Sequence, residues 1–374
     1  MTPPSSTAAN HGLGREALPH HLSAALARPV LPALDAIRAF AANAVIVFHY
    51  GVAFIPGPLA VLMFYVLSGF LITWLLLKEF ESRGTVSLRN FYIRRSLRIF
   101  PAFYVYWFLT TAARVILHKP IDWVQAVCAF FYVTNYYQAI RGDFSRSPLS
   151  HSWSLSVEEQ FYLLWPFTFL FLWRTRWGIV RWVVVIIAIF IAYRSVLYSV
   201  LRVSTIYIYE SFDARADHLL VGCLTAIVLR KGLLARFWTA VCSHPAIPVL
   251  TLACLASSIL LHMTLGNDYR FLVAYVVDPL LMSVLIVQLI SFSGHPMWAW
   301  LNNRWLCYLG RISYSTYLYQ QVMLEPMRSK LGSLPLLVQL PIVMASVAAV
   351  ASLSYFLVEL PFLKLRERFS KSSA

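Results

Sequence analysis

Apolar residues run along this chain in long blocks rather than alternating with polar ones. Blocks such as Ile179 to Val200 and Phe271 to Ile290 hold about 20 residues, the length that carries an α-helix across a bilayer. Eleven such stretches can be marked, at about 33–55, 58–78, 100–118, 121–138, 156–174, 179–200, 214–230, 247–265, 271–291, 306–325 and 335–360. No internal repeat recurs at a fixed spacing, and nothing resembles a separate soluble domain. The longest polar stretch past the N-terminal region is the 139–155 loop.

Composition agrees with the pattern. Of 374 residues 59% are hydrophobic and 13% charged, with mean hydropathy +0.67; a soluble domain is roughly a quarter charged. The net charge of +15 is better explained by basic residues collecting in cytoplasmic loops than by a nucleic-acid partner. The basic clusters at Arg83 to Arg98, Arg174 to Arg181, Arg230 to Arg236 and Lys364 to Lys371 fix an orientation. With all four in the cytoplasm, the stretch at 121–138 cannot make a full crossing. It is interrupted by Gln125, Thr134 and Asn135 and is expected to be re-entrant or interfacial. The expected fold is therefore an all-α polytopic membrane protein of about ten transmembrane helices with both termini cytoplasmic. Residues 1–30, rich in Pro, Ser, Ala and His without an apolar core, read as a disordered cytoplasmic tail rather than a cleaved signal. A membrane domain over 31–363 and a basic tail over 364–374 follow. The five cysteines form no C-x-x-C pair, so no metal site or disulfide framework is indicated.

Candidate chemistry begins in the first span, LDAIRAFAANAVIVFHY from Leu34. Arg38 and His49 are eleven positions apart, within about 20° of one helix face and about 16 Å apart along it. Asp35 falls about 40° to the other side, and Ala42 lies on the same stripe. Ionisable residues within a membrane usually line a pathway or a site. Asp35 and Arg38 could also be an interfacial ion pair, and His49 a packing histidine. A histidine titrates near neutrality, which suits proton abstraction from a hydroxyl.

Further along, NFYIRRSLRIFP clusters Arg94, Arg95 and Arg98 on a helical turn, forks that match phosphate oxygens if they are more than topology signals. HSWSLSVEEQFYLLWP, from His151, brings Glu158 and Glu159 towards the outer side. Ser156 and Glu159 have capping-box spacing, which leaves Glu158 the better partner for His49. Arg215, Asp217 and His218 sit at the outer start of a later span, as an interfacial cap or as acceptor contacts.

These segments resemble the acyltransferase-3 family of integral-membrane acyltransferases. LDAIRAFAANAVIVFH resembles its opening pattern, and FYVLSGFLIT, YIRRSLRIFPAFY, WSLSVEEQFYLLWP, ISYSTYLY and the late Glu359-Leu-Pro361 continue the match in order, from Leu34 to Pro361. The chain departs from the pattern at Ala36, where Gly is usual, at Ala60 to Phe64, and at Tyr319 and Gln320, where Trp-His is common. No esterase-like domain follows Pro361, so a membrane-only member is expected. The resemblance implies a bacterial inner-membrane enzyme that transfers an acyl group, with no permanently bound cofactor, from acyl-CoA to a carbohydrate, glycan or natural-product acceptor. It implies His49 as the catalytic residue; the orienting carboxylate read from the residues is Glu158, or else Glu159. Arg38 and the Arg94, Arg95 and Arg98 group would bind acyl-CoA from the cytoplasm, with Asp35 beside them. Trp153, Arg215, Asp217 and His218 are the acceptor-side candidates. The alternative is a secondary transporter using Arg38, His49 and Asp278 as a proton or substrate path, although the chain lacks the inverted repeat common in transporters.

Overall fold

In a computed structural model the described residues are 18–28, 30–52, 57–144, 147–175 and 178–371, and among them there is no strand. The helices are α1 (His20–Leu26), α2 (Pro32–His49), α3 (Gly57–Arg83), α4 (Leu88–Ile116), α5 (Trp123–Phe130), α6 (Thr134–Arg141), α7 (Ser152–Trp173), α8 (Ile179–Ser199) and α9 (Thr205–Glu210). After a short 3-10 turn at Phe212–Ala214 come α10 (Ala216–Arg230), α11 (Ala235–Val241), α12 (Ile247–Tyr269) and α13 (Tyr275–Phe292). The chain ends through α14 (Arg304–Arg311), α15 (Ser313–Leu331), α16 (Leu336–Ser354) and α17 (Leu360–Lys371).

Among the described residues, five helical stretches are long and apolar enough to cross a membrane: Gly57–Arg83, Leu88–Ile116, Ile179–Ser199, Ile247–Phe292 and Leu336–Phe369. The pair α10 and α11, bent by 106°, makes a sixth if taken as one span. Together they describe a multi-pass membrane protein. Ile247–Phe292 is 46 residues, about twice one crossing, and it breaks at Gly266, whose φ of 68° and ψ of −148° are not helical. The stretch at 121–138 divides into α5 and α6, eight residues each. At about 1.5 Å per residue neither can cross. Asp122 caps the first by accepting from the Gln125 amide at 2.9 Å, and Gly142 ends the second in the left-handed region at φ 70°.

Three expectations change. The supposed N-terminal tail is helical over α1 because Leu22, Ala25 and Leu26 share one apolar face and are buried. His21 holds α1 in place, stacking on Phe292 at 5.5 Å and bonding the Cys242 carbonyl at 3.0 Å. Residues 1–17 of that expected tail lie outside the described residues. The capping box at Ser156 does not form, since α7 starts at Ser152 and the Ser156 hydroxyl donates to the Ser152 carbonyl at 3.0 Å. The basic stretch after Lys364 continues the helix to Lys371 and α17 packs on α4.

The core is built around α2, α3, α10 and α13. The tightest seam is α3 against α10, where two glycines face each other's backbone. A Cβ on Gly69 would lie 1.9 Å from the Leu219 carbonyl oxygen, and one on Gly222 would lie 2.0 Å from that of Val66. Small residues permit this approach, the usual device of membrane helix pairs. Gly310 does the same for α14 against α2, where a Cβ would lie 1.9 Å from the Asp35 carbonyl oxygen.

Candidate functional site

The polar stripe of α2 links two cavities. At its start Arg38 donates to Asp35 at 3.1 Å, so the ion-pair reading of these two is correct as geometry. Ala42, midway, is 1% exposed. At the far end is His49. α15 runs beside α2 and repeats the arrangement on one face. Tyr314 lines the first cavity, Tyr317 lies between the two, and Gln320 reaches His49. Steps of three keep these side chains on one side of the helix.

The first cavity, about 90 Å³, is cationic, with Arg38, Arg95 and Arg98 in its wall beside Ser68, Glu158 and Glu159. Arg95 lies 3.5 Å from the centre of the Tyr162 ring, and its Nε is buried without a hydrogen-bond partner. Arg98 feels the like charges of Arg38, Arg95 and Arg366, with Glu359 as the opposing charge. Glu359 itself accepts from the Ser315 hydroxyl at 2.5 Å. Arg94 points elsewhere, to Glu79 at 2.7 Å. Three guanidiniums against two carboxylates line this wall, and guanidinium forks suit an anionic ligand.

The second cavity, about 500 Å³, is lined by His49, His151, Trp153, Tyr209, Glu210 and Arg270. His49 Nδ1 and Gln320 Oε1 are 3.2 Å apart, and Arg328 donates to the His49 carbonyl. Burial, with His49 beside it, holds the His151 imidazole down to about 3, so this second histidine is neutral. Burial pushes the Glu210 carboxyl up to about 9.

A thin polar layer lies between the cavities. Ser154 and Tyr317 share a hydroxyl–hydroxyl bond of 2.5 Å, Tyr317 donates to the His151 carbonyl at 3.0 Å, and Tyr65 donates to the Ser154 carbonyl at 3.4 Å.

The candidates read from the sequence divide between these places. Glu158 accepts from Ser68 at 2.9 Å and, with Glu159, lies in the cationic cavity, whereas Gln320 is the ring partner of His49. The helical register explains this: Glu158 is more than a turn of α7 beyond Trp153, the residue of that helix that faces the histidine cavity. Arg215, Asp217 and His218 are at most 1% exposed. Asp217 pairs with Arg194 at 2.7 Å, and His218 meets the Tyr275 carbonyl at 3.1 Å. Arg215 sits 4.3 Å over the Tyr275 ring, with Tyr65 and Tyr209 further out. Asp278 lines a neighbouring cleft of about 270 Å³ with Ser258 and His262.

Sequence reasoning missed Gln320, Glu210, Arg270 and Arg194 as site or support residues. Arg194 gave a signal, a charge within an apolar run, and Gln320 stands where the chain departs from the family pattern. Glu210 and Arg270 gave none that separates them from other loop charges. Among the described residues no group of three or more His, Cys, Asp or Glu side chains could hold a metal ion.

A family model described as an acyltransferase domain matches residues 31–356. The "Putative O-acetyltransferase" of Staphylococcus aureus (strain COL) is 30% identical over 355 residues, 89% of this chain and 57% of that protein. O-acetyltransferase OatA of the same strain is 28% identical over 357 residues, with the same shares of 89% and 57%. The chain thus spans little more than half the length of these curated relatives. No solved structure matches it.

Proposed function

The chain belongs to the acyltransferase domain family, and from that premise we propose that it is a membrane O-acetyltransferase carrying acetyl groups from acetyl-CoA to a carbohydrate hydroxyl. The observation that carries the reading is the pair of cavities at the two ends of α2, one cationic and one holding a hydrogen-bonded histidine. In this reading the chain crosses a bacterial inner membrane about ten times, with both termini and the cationic cavity on the cytoplasmic side.

Arg38, Arg95 and Arg98 would take the phosphates of CoA, with Asp35 holding Arg38 in place. Guanidinium forks suit phosphate oxygens, and a site that is already cationic needs no rearrangement to accept them. Glu158 and Glu159 temper that charge; Glu158 is fixed by Ser68. The thioester arm would extend along the α2 and α15 stripe and past the Ser154–Tyr317 layer to His49.

At His49, Gln320 Oε1 accepting from Nδ1–H leaves the Nε2 lone pair free. Nε2 takes the proton of the acceptor hydroxyl as that oxygen attacks the thioester carbonyl. The new C–O bond forms, the C–S bond breaks, and the departing CoA thiolate takes the proton from the imidazolium. The products are an acetyl ester and CoA, with His49 returned to neutral. Trp153 lines the cavity where the acceptor would sit.

The test is thioester cleavage by purified protein with acetyl-CoA, comparing wild type with His49→Ala and Arg95→Ala. Loss of turnover in His49→Ala and weaker CoA binding in Arg95→Ala are expected. CoA binding that is absent from wild type would overturn the reading.

A further inference from the structure

The histidine cavity holds a carboxyl group that the proposed chemistry does not use. Glu210 ends α9, is 0% exposed, and lines the cavity, yet neither of its carboxylate oxygens has a hydrogen-bond partner. Its neighbour three residues on is treated in the opposite way. Asp213 accepts from Tyr136 at 2.8 Å and from Tyr207 at 3.1 Å. Those two bonds anchor the segment, and Ser204 caps the start of α9 at the Ile206 amide. Glu210 is therefore held in position by a tied-down segment while being given no partner of its own. Buried polar groups are nearly always satisfied, and one that is not calls for a ligand or a specific role.

What surrounds it narrows the ligand. Tyr209, the adjacent residue, is the centre of an aromatic wall, with Trp153 at 4.9 Å and Phe144 edge-on at 6.1 Å. The Arg270 guanidinium lies 4.7 Å over the same tyrosine ring, and Asn267 is in the same wall. Flat apolar faces together with an acid, an amide and a guanidinium match a molecule having both C–H faces and hydroxyl edges. A positive ligand is disfavoured by Arg270. A sugar ring fits both conditions: its face lies on the aromatic side chains, and its hydroxyls meet the polar ones.

We propose that Glu210 is an acceptor-positioning residue that binds hydroxyl groups of a pyranose stacked against Trp153 and Tyr209, and so selects which hydroxyl is presented to His49. The assignment rests on the reading of this cavity as the acceptor site of an O-acetyltransferase. It gives the buried carboxyl its missing partners, and those partners exist only when the acceptor is bound.

The probes are methyl β-D-glucopyranoside and its N-acetylglucosamine counterpart, offered with acetyl-CoA to the purified full chain. The readouts are KM for the glycoside, KM for acetyl-CoA, and the position of the acetyl group by NMR. Glu210→Ala is expected to raise KM for the glycoside about tenfold or more, leave KM for acetyl-CoA within about twofold, and spread acetylation over several positions. Glu210→Met, similar in length but without a hydrogen-bonding oxygen, gives the same test if Ala packs badly. Wild-type KM and wild-type position in both variants, with His49→Ala inactive, would overturn the Glu210 assignment alone. Failure of wild type to acetylate either glycoside while it acetylates a non-carbohydrate alcohol would overturn both the carbohydrate reading and the assignment.

Discussion

Replacing Gln320 by Leu tests whether the histidine is oriented by an amide. Gln320 is 0% exposed and its Oε1 lies 3.2 Å from His49 Nδ1. A neutral hydrogen bond of this kind contributes about 0.5–1.5 kcal/mol, which corresponds to about two- to thirteenfold in rate if it is fully expressed in the transition state. Leu also leaves Nδ1 without its acceptor, so the ring is free to carry its proton on Nε2, the atom that must be bare to act as base. Combining the two, kcat should fall about five- to twentyfold. KM for acetyl-CoA should hold, because Arg38 lies about 16 Å away along α2 and Arg95 and Arg98 line the other cavity. Steady-state acetyl-CoA turnover with and without a glycoside acceptor measures both constants. Gln320→Glu, which keeps an acceptor oxygen at the same reach, should recover part of the loss. Leu at wild-type kcat, or Glu as slow as Leu, would refute the orienting role.

Other expectations come from the remaining contacts. Arg98→Ala should raise KM for acetyl-CoA about tenfold and flatten its salt dependence, measured by turnover between low and moderate ionic strength. Gly222→Val should destabilise by at least about 2 kcal/mol, since even a Cβ would meet the Val66 carbonyl oxygen at 2.0 Å and the helices must part; a thermal midpoint several degrees lower checks it. The Glu210 carboxyl titrates at about 9 folded against 4.5 for a free glutamate. Its contribution to stability is therefore full below about 4.5 and is lost as pH rises through about 9, because the unfolded chain releases the proton first. Thermal midpoints of wild type minus Glu210→Gln should fall steadily across that window, and a flat difference would show that Glu210 is ionised in the fold.

The membrane class was legible because it is written in local order. Runs of apolar residues set the helices, and eleven residues of helical register set the Arg38 to His49 stripe. That 121–138 does not form one long helix was also readable, from its polar interruptions. What sequence could not supply was distance between helices. Glu158 and His49 are both polar and both near an end of their helices, yet nothing local says that α7 turns Trp153 to one cavity and Glu158 and Glu159 to the other. Gln320 is placed by α15 packing on α2, a contact across more than 270 positions. The N-terminal helix was missed because its apolar face is only three residues, too few to stand out among Pro and Ser. Its order comes from Phe292 and Cys242, not from its own composition.

The glycine seam between α3 and α10 has a mechanical consequence. Two helices in backbone contact have no side chains to slide over, so shear between them means collision, and α3 with its Tyr65 and Ser68 is in effect the fixed wall of the cationic cavity. Neither α3 nor α10 has a proline past its first turn, whereas α7 carries Pro166 and α15 carries Pro326 within the helix. A missing backbone hydrogen bond makes a helix easier to bend. The Ser154–Tyr317 bond joins those two bendable helices, so under the proposed transfer to His49 any opening movement is borne by the α7 and α15 side. A crosslink between α7 and α15 would then stop transfer while leaving CoA bound, and one between α3 and α10 would change neither.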